Sequence, residues 1–245
     1  MPLTPILNFR IDENYLIAHA LFSTNKKRFS SNKHKKDIVS FQNFAWAISK
    51  QKYLNLISEY RPIDVKKQKD LSKTTRKFLA LLKRSKQYGK ILLQTQKYLL
   101  FCKSQWDKNL NRSSALVREL TGIKMSNRFD VYITHPSLKN GMNSNGKILW
   151  GHNEDWDNYT TVYLWHEILH SYLSVTQNAR LNHAIIQLIA DNELRVKLNR
   201  GTYPPFYGHK ELFPLMRKML PLWKKYLKSK NKNILSFKHS CSQIL

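Results

Sequence analysis

Cysteine is nearly missing from this chain of 245 residues: Cys102 and Cys241 stand far apart, which excludes a disulfide framework and any cysteine-rich zinc module. A metal ion, if the protein uses one, would have to sit on histidines and carboxylates. Long apolar runs are missing as well. The segment from Ile91 to Phe101 is interrupted by Gln94, Gln96 and Lys97, so nothing approaches the roughly 18 consecutive apolar residues of a membrane span. The opening MPLTPILNFRIDENYL has no basic start, apolar run and small-residue cleavage site in sequence, and the expected location is cytoplasmic. Acidic residues are scarce too, with 16 Asp and Glu against 42 Lys and Arg and a net charge of +26. Such a field attracts polyanions. It is densest at Lys26, Lys27, Arg28, Lys33, Lys35 and Lys36 and again from Lys224 to Lys232, so weak polyanion binding through a basic surface is one expectation. The charges are nevertheless spread along the chain and form no nucleic-acid-binding motif.

What is present is enough apolar residue, 42%, to bury one sizeable core. FRIDENYLIAHALF reads as a strand running into a helix. After a basic loop at 23–36, Phe41, Phe44, Ala45, Ile48, Tyr53, Leu54 and Ile57 recur at helical spacing and predict one amphipathic helix ending before Pro62. Residues 70–122 are helical in pieces, closed by Gly122. The character changes at Phe129: FDVYITH and GKILWGH alternate and are rich in β-branched and aromatic residues, which predicts a small sheet or hairpin whose loop is too long for a two-residue turn. Helices follow from about Tyr159, capped by Asp157 or Asn158, from Asn182 to Asn199, and from Lys210 to Tyr226, where Pro214 and Pro221 predict a kink or break. The expected fold is α+β, predominantly helical, with a small sheet packed beside the helix that carries the site. Residues 1–122 form a basic, mainly helical N-terminal half, and 123–245 a catalytic half packed into one unit with it.

That site is WHEILHSYL. His166 and His170, four apart on a helix, stand one above the other on one face and can reach a single ion. Glu167 is rotated about 100° from His166, so it misses the ion and can address a water instead. Trp165, Ile168, Leu169 and Tyr172 share the apolar back. Two histidines do not complete a catalytic zinc site, which takes three protein ligands, and the next helix offers His183, Asp191 and Glu193. At 100° per residue Glu193 falls inside the apolar arc of Ile185, Ile186, Ile189, Ala190 and Val196, where a carboxylate needs a partner such as a metal. Asp191 falls at the polar margin beside Gln187 and Arg195, and His183 at the helix start. Glu193 is the expected third ligand, with Asp191 and His183 the alternatives.

HExxH on one helix with a glutamate on the next resembles the zincin metallopeptidases, in particular their gluzincin branch. The matching residues are His166, Glu167, His170 and Glu193. Lys197 stands where gluzincins often have an Asp that orients a ligand histidine, and Thr176 stands where metzincins have their third His. The resemblance implies a Zn2+-dependent hydrolase, most directly a peptidase, with a peptide or protein substrate, Glu167 as general base, and substrate added along the sheet edge formed by DVYITH or GKILWG. An oxyanion stabiliser would come from Tyr163, His152, His135, Tyr203 or Tyr207. The loop with Glu154, Asp155 and Asp157 matches no EF-hand spacing. Two other classes stay open: a basic nucleic-acid-binding protein with a structural or degenerate metal site, and a zinc amidase acting on a non-peptide substrate.

Overall fold

The computed structural model describes residues 4–23, 28–59, 71–144, 146–173, 178–199 and 207–243. In chain order the elements are β1 (Ile6–Arg10), α1 (Glu13–Phe22), α2 (Lys35–Ile48), α3 (Lys50–Glu59), α4 (Lys73–Lys83), α5 (Lys86–Thr121), β2 (Arg128–Ile133), β3 (Asn140–Ser144), β4 (Lys147–Gly151), α6 (Tyr159–Leu173), α7 (Ala179–Gln187), a π-helical turn (Leu188–Leu194), α8 (Arg195–Asn199), a 3-10 turn (Lys210–Leu212), α9 (Phe213–Lys228) and α10 (Ile234–Ser242). The class is α+β and mostly helical, with one small mixed sheet.

Contacts divide the chain into two compact units. A sheet-containing unit comprises 8–103 and 130–153; a helical unit comprises 1–7, 104–129 and 154–245. The chain thus passes between the units several times.

In the sheet-containing unit the strand order is β1-β2-β4-β3, with β2 parallel to β4 and β3 antiparallel to β4. Three details differ from the sequence reading. The register pairs Ser144 with Lys147 and Gly146, just before β4, has φ 77°, so the connection is shorter than the long loop expected, and the first Asn-Gly pair lies inside β3. The strands read as substrate edges, DVYITH and GKILWG, are the interior pair, and the edges are β1 and β3. The single helix expected through residues 37–57 is two, because Ser49 adopts an extended conformation, φ −167° and ψ 104°. Conversely, the pieces expected after residue 86 are one uninterrupted 36-residue helix.

The core of this unit packs α1 (Leu16, Ile17, Leu21) against Ile38, Phe41, Leu56, Phe78 and Leu82, with Tyr132 and Leu149 of the sheet. Two histidines are sealed into it, His19 at 8% exposure and His135 at 0%. His135 is satisfied as a neutral ring: Nδ1 accepts from the Ser137 amide at 3.1 Å and Nε2 donates to Gln94 Oε1 at 2.8 Å. In the helical unit, Trp106 and Trp165 pack at 5.5 Å and the Trp165 indole donates to Ser113 Oγ at 2.8 Å. Trp223 of α9 is also buried. Pro214 sits in the first turn of α9, where a missing amide costs nothing, and the helix continues through Pro221.

Burial pushes His19 down to about 4 and His135 down to about 3. As pH falls below the ordinary histidine value the unfolded chain takes up protons that the native state refuses, so stability is lost between about pH 6.5 and 4. Urea midpoints should therefore fall from pH 7.5 to pH 5, and fall less in H135Q. An H135Q slope equal to that of the wild type would contradict this assignment.

Candidate metal centre

Helix α6 begins beyond Asn158, whose φ of 60° turns the chain sharply into it. The expected caps at Asp157 or Asn158 are not what serves the free amides. The Glu154 carboxylate accepts from the Thr160 amide at 3.2 Å and from its hydroxyl, and Gln105 Oε1 accepts from the Thr161 amide at 2.9 Å. One acid of the loop thus fixes the start of the helix and, with it, the phase at which His166, Glu167 and His170 emerge.

The next helical segment sets the other half of the site. Asn178 caps α7 by accepting from the Leu181 amide. Beyond Gln187 the backbone bonds as a π-helix through Leu194, and this alters every angular argument downstream. Counted from His183, an uninterrupted α-helix would carry Asp191 about 80° to one side and Glu193 about 80° to the other. With i→i+5 bonding each residue advances only about 80°, which returns Asp191 to His183's face and sends Glu193 to the far side.

The side chains follow that arithmetic. One ligand nitrogen or more from each of His166, His170 and His183 lies within 4.8 Å of the others. His166 Nε2 and His183 Nε2 are 3.1 Å apart. Asp191, fully buried, places Oδ1 2.8 Å from His166 Nδ1. The expected ligand Glu193 is not in the group; its Oε1 accepts from Trp223 Nε1 at 3.2 Å and so ties the segment to α9. The third imidazole of the group is His183, the alternative that the sequence ranked below Glu193, and Asp191 contacts His166 from behind. Lys197, where the resembling family often has that orienting acid, lies 3.3 Å from Glu119. The signal that fixes all three assignments is the π-helical turn, which a uniform wheel cannot register.

The donor set suits a divalent cation. A carboxylate can only accept, so the Asp191 contact holds a proton on His166 Nδ1 and turns Nε2 toward His183. Burial lowers His170 to about 4 and His183 to about 3, keeping both rings unprotonated and able to ligate at neutral pH. Burial also pulls His166 down, but the charge and hydrogen bond of Asp191 outweigh it and raise that ring. Three imidazoles bound tetrahedrally at about 2.0–2.1 Å have ring centres roughly 5 Å apart; here the three separations are 5.1, 5.0 and 4.9 Å. Glu167 is 6% exposed, and burial lifts its carboxyl to about 7, with His166 working against the rise. That value suits a group that must both take up and return a proton.

Of the residues considered for oxyanion stabilisation, His135 and His152 belong to the sheet-containing unit, and Tyr203 lies outside the described residues, as does Thr176. Tyr163 stacks between Tyr159 at 4.5 Å and His166 at 5.9 Å. Tyr207 stands against the Arg195 guanidinium, 4.9 Å from its ring centre. Sequence reasoning missed His209, whose ring centre is 4.6 Å from that of His183; it follows a Pro-Pro stretch and has no periodic signal. Among the described residues no helix is long and apolar enough to cross a membrane. Compared with family models, curated proteins and solved structures, the chain has no match in any of the three, so the likeness to zincins rests on these residues alone.

Zinc titration against a competing chelator should give a tight site in the wild type and in E193Q, and loss of that site in H166A, H170A and H183A. D191N, which keeps the shape but not the charge, should weaken zinc by about 10 to 100-fold. Zinc lost in E193Q and retained in H183A would reverse the assignment.

Proposed function

We propose that this chain is a zinc-dependent hydrolase of zincin type acting on peptide bonds, with His166, His170 and His183 as ligands and Glu167 as general base. The observation that carries the reading is the convergence of three imidazoles beside a buried glutamate whose carboxyl is lifted to about 7. When bound, zinc would polarise an acyl carbonyl and make a water acidic near neutral pH. The protein's own contribution is placement and proton handling. Asp191 holds the His166 proton on Nδ1, so that the ring keeps one tautomer and one orientation. The Glu167 carboxylate accepts a proton from the attacking water and passes it to the departing amine, a transfer typically worth 10²–10⁴-fold in rate. Peptide is the substrate that the HExxH resemblance implies; an amidase on a non-peptide substrate would use the same residues.

One feature favours a second reading, polyanion binding. The sheet-containing unit has a cleft of about 520 Å³ lined by Lys33, His34, Lys90 and Lys97, with Gln94 and Tyr98. Such a cleft, in a chain of net charge +26, attracts phosphate-bearing polymers whatever the metal site does.

The zinc-loaded protein incubated with a diverse peptide library and read by mass spectrometry should produce defined cleavages. E167Q should lower them by about 100-fold or more with zinc retained. Equal cleavage by E167Q, or none by the wild type alongside oligonucleotide binding that E167Q leaves intact, would discard the peptidase in favour of the second reading.

A further inference from the structure

The cleft in the sheet-containing unit continues along α5 as a longer face. Its wall from this helix carries Lys90, Leu93, Lys97 and Tyr98, and Lys33 and Pro136 line it as well. At about 100° per residue Lys90, Lys97 and Phe101 fall within a sector of about 40°. Phe101, one turn beyond Lys97, therefore extends the same face.

The positive charge of this face is open to a ligand. Among the described residues the ammonium groups of Lys33 and Lys97 have no carboxylate partner. Lys90 is shared with Asp37, whose Oδ1 lies 3.5 Å away and whose Oδ2 accepts from Gln94 at 2.8 Å. His34 adds a ring and not a charge, because burial and the Lys33 ammonium hold it below the ordinary histidine value.

Beside these cations the apolar groups are placed for a flat partner. Leu93 and Phe101 are 53% and 42% exposed. The Phe101 ring lies nearly parallel to that of Tyr98, at 17° and 6.2 Å between centres. Tyr98 is buried, and its hydroxyl donates to the His152 carbonyl at 2.8 Å. A fixed inner ring thus backs an open outer one. Free cations in a groove beside an exposed aromatic face bind single-stranded nucleic acid, with phosphates on the cations and unstacked bases on the ring. A duplex keeps its bases stacked and would leave the ring unused, and a flat anionic bilayer would not follow the concave wall.

We propose that this cleft and Phe101 form a binding site for single-stranded nucleic acid, with backbone phosphates on Lys33 and Lys97 and a base on Phe101. RNA and DNA share the chemistry required. The inference rests on the second reading above, polyanion binding at this cleft, and names its ligand; it makes no use of the metal centre.

Fluorescence anisotropy with labelled oligouridine and oligothymidine of about 12 nucleotides, a length within the span of single-strand sites, provides the test. The wild type should bind either strand more tightly than a duplex of equal length. F101A should weaken the single strands about 10-fold and leave heparin binding unchanged, since heparin offers charge but no base to stack. The double variant K33Q and K97Q should weaken single strands and heparin together, and should lower the salt slope of binding by roughly 1 for each lysine. F101A equal to the wild type on single strands, or a duplex or anionic vesicles bound in preference to them, would overturn the inference and leave polyanion binding standing. Single-strand and heparin affinities both unchanged by the lysine substitutions would overturn the inference and the polyanion reading of this cleft together.

Discussion

A single buried hydrogen bond, from His166 Nδ1 to Asp191 Oδ1 at 2.8 Å, organises the candidate centre. Both partners are essentially out of water, and a buried charged pair contributes little net stability because its desolvation offsets the attraction. Its effect is on geometry and tautomer. It fixes which nitrogen of His166 faces inward, joins α6 to the segment after α7, and requires that segment to present Asp191 at the right phase. The π-helical turn meets the last requirement, and local π-helix is commonly found where function demands a shift in phase.

The charge distribution points to the same place. Acidic residues are scarce, yet the buried carboxylates among the described residues are Glu167, Asp191 and Glu193, all on these two neighbouring segments. Each has its own task in the arrangement. Asp191 contacts His166, Glu193 anchors α9 through Trp223, and burial lifts the Glu167 carboxyl to about 7. A chain of such strong positive charge keeps its interior negative charge where a cation would be held.

Much of this was legible in the residues, and the parts that were not share a cause. The α+β class, the strand leading into α1, the start of α6 and the pairing of His166 with His170 follow from periodicity and the four-residue spacing. The sheet edges were misread because alternation reports that a segment is a strand and not where it stands in the order; β3, with its Asn-Gly start, has almost no strand signal. Ser49 divides an amphipathic run whose apolar spacing survives the break. Glu193 was preferred over His183 and Asp191 by a wheel drawn at constant pitch, and the π-helical turn changes that pitch between the residues being compared. Lys197 supplies no acid, and the carboxylate that contacts His166 is Asp191, two residues before Glu193.

The central claim is that three imidazoles from α6 and α7 hold one divalent cation. The most direct measurement is anomalous scattering at the zinc edge from crystals of the zinc-loaded protein. A single strong peak within bonding distance of His166, His170 and His183, with Asp191 still on His166 Nδ1, is the predicted result. A peak bound elsewhere, or none among these rings at full zinc loading, would contradict the account.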